Sequence, residues 1–203
     1  MAYIANTAFE IKISNHEFDS IANITGKYQA SGSDAVICPG FLATRDSLIV
    51  NDGYDQVGPT GATVTLYNTN TWNMVDATDA ATAQNGIYAC NPFDVNMASD
   101  GEGNFWKVGA NTLSIQVPAG YLTTWTKIEF NNNNVYRFGV GNLSAALSTN
   151  TFFTIDDGLL VPGASAPASA GVPYFELVRS GTFTEGPYAA FAYVDVRACI
   201  SEA

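Results

Sequence analysis

Short runs in which apolar and polar residues alternate recur along the whole chain. Phe9, Ile11 and Ile13 alternate with Glu10, Lys12 and Ser14. Val64 and Leu66 alternate with Thr63, Thr65 and Tyr67, and Leu113, Ile115 and Val117 alternate with Ser114 and Gln116 until Pro118 stops the run. A period of two places every second side chain on one face of an extended strand, so each run predicts a half-buried strand. Ile87 to Cys90, Tyr174 to Val178 and Ala189 to Arg197 extend the set. In the last of these, Phe191, Tyr193, Asp195 and Arg197 oppose Ala192, Val194 and Val196. The stretch 125–140 predicts a hairpin. Trp125, Lys127 and Glu129 share one face, Ile128 and Phe130 take the other, and Val135 to Val140 runs back after Asn131 to Asn134. Asparagine tolerates left-handed backbone angles, which suits a tight connection.

Helical signal is weak. Leu143 to Leu147 and Phe18 to Ile24 each allow one short turn, and neither sustains an apolar stripe at 3.6-residue spacing. Glycine and proline punctuate the chain at Pro39-Gly40, Gly58-Pro59, Gly61, Pro118 and Gly120, and near Pro173 and Pro187. The expected fold is therefore mainly β, sandwich-like or barrel-like, with many short antiparallel strands and little helix. One β-rich domain over residues 1–203 is expected, with a split into two sub-domains near 98–104 as the alternative. The stretch 162–171, from Pro162 to Gly171, is almost free of bulky side chains. It predicts a flexible loop, or an arm lying along a neighbouring subunit.

Composition narrows the function classes. Of 203 residues, 47% are hydrophobic and only 13% charged, where about a quarter charged is usual. The surface must be completed by Asn, Thr, Ser, Gly, Ala and Tyr, a composition suited to packing against other proteins. The net charge is −11, and the eight Lys and Arg are scattered. Phosphate recognition needs clustered cations, so neither nucleic acid nor an anionic membrane is an expected partner. The N-terminal residues lack the basic and apolar regions of a secretory signal. Cys38, Cys90 and Cys199 are widely spaced, and reduced thiols in a chain made in the cytoplasm are expected. One disulfide plus one free thiol is the alternative.

Candidate chemistry is sparse. His16 is the one histidine, and no Gly-x-Ser-x-Gly elbow supplies a nucleophile for it. Zinc would need paired cysteines or further histidines. Asp156 with Asp157, and Asp76 with Asp79, are candidate carboxylate pairs; neighbouring strand positions point to opposite faces, so Asp156 and Asp157 do not naturally converge. Asp100, Glu102 and Asn104 follow the alternate spacing of a calcium loop, but Asn111 stands where the closing Glu belongs. Trp72, Trp106 and Trp125, with Tyr121 and Tyr136, offer either core packing or a sugar-stacking platform. No catalytic, cofactor or metal residue is assigned, and an enzyme is not expected.

The C-terminal half carries a resemblance. The stretch from Phe152 to Pro162 (FFTIDDGLLVP), the segment Gly181-Thr182-Phe183-Thr184-Glu185-Gly186 and the ending Tyr193-Val194-Asp195-Val196-Arg197 resemble tailed-bacteriophage head decoration or auxiliary capsid proteins. The likeness covers about half the chain and transfers no individual functional residue. It implies a virion structural protein on the capsid exterior, synthesised in the host cytoplasm, that stabilises the assembled capsid. Its partners would be the major capsid protein lattice, copies of itself as a homo-oligomer such as a trimer, or both. A carbohydrate- or receptor-binding β module of a phage fibre or tail is the alternative.

Overall fold

The computed structural model describes residues 7, 9–13, 23–50, 56–57, 63–64, 67–78, 86–91, 97–99, 105–107, 116–131, 133–183 and 191–202. In chain order the strands are β1 (Phe9–Ile13), β2 (Asn23–Ala30), β3 (Ser33–Asp34), β4 (Leu42–Val50), β5 (Gln56–Val57), β6 (Thr63–Val64), β7 (Tyr67–Asp76) and β8 (Tyr88–Cys90). They continue as β9 (Met97–Ser99), β10 (Phe105–Lys107), β11 (Thr123–Lys127), β12 (Val135–Gly139), β13 (Phe152–Asp156), β14 (Leu159–Gly163), β15 (Pro173–Phe183) and β16 (Phe191–Ile200). One 3-10 turn, Val140–Asn142, precedes the 143–147 stretch where the sequence allowed a helical turn. No α-helix occurs among the described residues. The fold is mainly β, as the alternation implies.

Two layers form it. The first is a small barrel with strands in the order β11-β8-β4-β7-β2, closed by pairing of β11 with β2, and β3 is appended to β2. Its pairs are antiparallel except β2 with β7, which run parallel. The second layer is an open antiparallel sheet ordered β1-β12-β16-β15-β13-β14. β5 with β6 and β9 with β10 form two further antiparallel two-stranded sheets. Ala98 and Ser99 belong to β9, which pairs with β10; 100–104 are outside the described residues. The chain passes from barrel to sheet at 128–134, and β1 belongs to the sheet from the other end of the sequence.

The predicted 125–140 hairpin does not form. β11 and β12 lie in different layers, and the asparagine run carries the chain between them. Its left-handed geometry is real: Asn131 and Asn133 have φ of 59° and 53°. Its bonding is long-range at Asn131 and local at Asn134. The Asn131 N–H donates to the Ala198 carbonyl (3.0 Å), its Oδ1 accepts from the Ile200 N–H (2.8 Å), and buried Asn134 donates to the Tyr136 hydroxyl (3.3 Å). Partners for the Asn131 groups on β16 outweigh a local turn.

Alternation explains how the layers meet. On β4 and β8, Leu42 and Ala89 are register partners facing the sheet, while Ala43 and Tyr88 face the barrel interior. Leu42, Ala77, Ile87, Ala89 and Ile128 pack against Phe138, Phe153, Ile155, Phe175, Val194 and Val196 in one continuous core. The barrel has its own interior of Ile24, Tyr28, Phe41, Met74, Tyr88, Cys90 and Trp125. Space there is tight: a Cβ on Gly26 would lie 2.7 Å from both the Met74 side chain and the Trp72 carbonyl. The β13–β14 turn is the joint. Asp157 and Gly158 have φ of 47° and 74°, the paired positive values of a two-residue hairpin. The Leu42 N–H donates to the Gly158 carbonyl (2.8 Å), and the Gly158 N–H donates to Ala77 (3.1 Å).

Candidate functional site

Three constellations stand out, two polar and one apolar. The first lies on the sheet face turned away from the barrel. Because β16 alternates, Val194 and Val196 enter the core and Asp195 takes the opposite face, in register with Arg137 on β12 and Arg179 on β15. A register shift between Leu177 and Arg179 brings Arg179 into line, leaving Val178 46% exposed. Arg137 holds Asp195 through both carboxylate oxygens (2.7 and 2.9 Å), and Arg179 Nε adds a third contact at 2.6 Å. The Arg137 guanidinium also stacks 3.7 Å from the Tyr193 ring centroid. Asp195 is only 1% exposed. Burial alone pushes its carboxyl up, but the hydrogen bonds and charges of the two arginines outweigh this and hold it below the ordinary carboxylate value. A carboxylate saturated in this way is a structural anchor, not a proton carrier.

The second constellation lies where the joint meets the barrel. The Tyr28 hydroxyl donates to Asp76 Oδ1, the Tyr28 ring meets Phe41 edge-on, and Asp157 adds its charge nearby. The fold thus converges Asp76 and Asp157 on one tyrosine, whereas proximity in the chain paired Asp156 with Asp157 and Asp76 with Asp79. Asp79 is outside the described residues, and Asp156 is exposed at the strand end. Burial, then the bond and charge of Asp76, then Asp157 push the Tyr28 hydroxyl well above its ordinary value. Such a phenol holds its proton and is a poor acid or nucleophile near neutral pH. The Cys90 thiol is likewise pushed up, first by burial and then by Cys38, which removes the thiolate needed for reactivity.

The aromatic platform is not assembled from the residues in view. Trp125 is fully buried inside the barrel, its Nε1 donating to the Gly26 carbonyl at 3.1 Å, and Tyr136 is buried in the sheet core. Trp72 is half-buried under the Arg45 guanidinium, 4.9 Å from its ring centroid, and Arg45 also lies over Tyr88. Among the described side chains of this set, Tyr121 alone is exposed. Trp106 belongs to β10. His16, Asp100, Glu102, Asn104 and Asn111 fall outside the described residues. Among the described residues no three His, Cys, Asp or Glu side chains cluster as metal ligands.

The third constellation is the turn between Val117 and β11. Pro118, Ala119, Gly120, Tyr121 and Leu122 are consecutive exposed residues, with Tyr121 at 66% and Leu122 at 54%. The turn is held at its base. Ile37 and Val117 exchange backbone hydrogen bonds (3.1 and 2.8 Å), and the Tyr121 N–H donates to the Pro118 carbonyl (3.2 Å). Gly120, at φ 80°, backs onto Asp34: a Cβ there would lie 3.1 Å from its Oδ2. Asp34 is itself engaged by Lys27 (2.9 Å) and Gln29 (3.0 Å), whose hydrogen bonds hold its carboxyl below the ordinary value. The Gly and Pro pattern marked this turn in the sequence; its exposed apolar crown became visible only once Val117 was seen pinned and buried beneath it.

The sheet edge at β14 is blunted. The Ser144 N–H donates to the Leu160 carbonyl (2.9 Å), and Pro162 supplies no N–H. The 162–171 stretch begins inside β14, and its far end is tied back: Ser201 Oγ donates to the Ser169 carbonyl, and the Gly171 N–H donates to the Ser201 carbonyl at 2.9 Å. No protein-family model, curated protein or solved structure matches the chain.

Proposed function

We propose that this chain is a virion structural protein that decorates an assembled capsid and stabilises it by protein–protein contact. The observation that carries the reading is the exposed apolar turn Pro118–Leu122 on a chain with a 13% charged share. Isolated exposed apolar residues are ordinary, but a contiguous, rigid apolar crown favours a contact surface. The polar constellations support the same reading from another side. Asp195, Tyr28 and Cys90 are held in states that serve packing and not proton transfer. The resemblance of the C-terminal half to tailed-phage decoration proteins agrees in kind.

The test is co-sedimentation of the purified chain with assembled capsids of the encoding phage, prepared without it, at low and high salt. Binding should persist at high salt, because an apolar contact is not screened. Failure to bind capsids, together with saturable binding to glycans, would transfer the assignment to a carbohydrate-binding module.

A further inference from the structure

We infer that the two-turn knob formed by 31–34 and 118–122 is the docking anchor, and that Tyr121 and Leu122 insert into an apolar pocket on a larger, repetitively arrayed partner protein. The inference rests on the decoration reading and assigns it a surface.

Size chooses the occupant. Tyr121 and Leu122, in the turn that leads into β11, are 66% and 54% exposed. Their apolar surface is on the order of 300 Å², well below the roughly 800 Å² per partner of a stable one-to-one interface. Such an anchor is too small to hold a pair of chains together by itself. It suits a site repeated many times on an ordered surface, where a second contact raises the effective concentration of the first.

Charge points the same way. A second copy of the chain would bring another −11 to the contact. Lys27 on the neighbouring strand β2 neutralises Asp34 of the knob at 2.9 Å, so the crown can be desolvated without carrying an uncompensated charge into the pocket. Preorganisation completes the argument. The Ile37–Val117 bonds and the Tyr121–Pro118 bond hold the 118–122 turn, and the β2–β3 pairing holds 31–34, before binding, which spares the ordering cost of a loose loop.

The experiment compares the intact chain with the double variant Tyr121→Ser plus Leu122→Ser in a binding titration against the same capsids. Both residues are exposed, so circular dichroism and the urea midpoint should match the parent and certify the fold. The expected result is a 10- to 100-fold loss of affinity, with Lys127→Ala, on an exposed position of the same barrel, changing it little. The mass of the free chain, measured by sedimentation, should be the same with and without the double substitution. Full-strength capsid binding by a folded double variant overturns the inference and leaves the decoration reading standing. A free-chain oligomer that dissociates on substitution overturns it by making the knob a self-contact. A parent chain that does not bind capsids overturns both.

Discussion

The barrel and the open sheet solve the same problem in opposite ways. A β-sheet must bury its apolar face and dispose of its edges. The barrel does both by closing: β11 pairs with β2, and the interior is filled by Trp125, Tyr28, Met74 and Phe41. The sheet stays open. It buries one face on the barrel, covers β14 with Ser144 and Pro162, and knits its other face with Arg137, Asp195 and Arg179. The closed layer therefore depends on volume and the open layer on paired charge. The exposed apolar turn sits on the barrel, while the most tightly bonded carboxylate in view sits on the sheet.

Substitutions in each layer should break that contrast by different amounts. Trp125→Ala empties the barrel interior and removes the bond to Gly26, and should cost about 4 kcal/mol by urea denaturation. A cost under about 1 kcal/mol would mean that the barrel is not a packed core. Gly158→Ala attacks the joint. The new Cβ would lie 2.2 Å from Phe41 Cζ and 2.7 Å from the Leu42 carbonyl, at a φ of 74°. The expected loss is about 3 kcal/mol. If Gly158→Ala were neutral, the docking of the β13–β14 turn on the barrel would be wrong.

Asp195→Ala should cost about 2 kcal/mol, because it strands half-buried Arg137 against Tyr193 while Arg179 escapes to solvent. Arg179→Ala should cost far less than Arg137→Ala, since Arg179 is 62% exposed and Arg137 12%. The same site sets a pH dependence. The folded Asp195 pKa lies below its unfolded value, so its contribution is present at neutral pH. It is lost as pH falls through the ordinary carboxylate range and below it. Stability measured from pH 7 downward should fall less steeply in Asp195→Asn than in the parent; parallel curves would remove Asp195 from the acid response.

The mildest probe leaves the fold intact. Cys38 and Cys90 are buried, whereas Cys199 is half-buried on the sheet beside Tyr174 and Glu176. Thiol titration of the native chain should modify Cys199 first and all three cysteines only after denaturation. Rapid native labelling of Cys90 would show the barrel opening.

Strand character was legible in the residues because the two-residue pleat is a local property. The end of the run from Phe191 to Arg197 divides as the alternation implies, with Val194 and Val196 inward and Asp195 on the other face. Asp157-Gly158 reads as a turn for the same local reason: few other residue pairs tolerate two positive φ values in succession. Pairing was not legible, because its free energy is distributed over contacts far apart in the chain. Two good strands separated by four asparagines look like a hairpin, yet β11 gains more by closing the barrel on β2 and β12 by joining β16. Burial is settled by the same long-range choice. Trp125 became interior when the barrel closed around it, Asp195 became inaccessible when two arginines from other strands covered it, and Tyr121 kept its exposure because the chain turns outward above Val117.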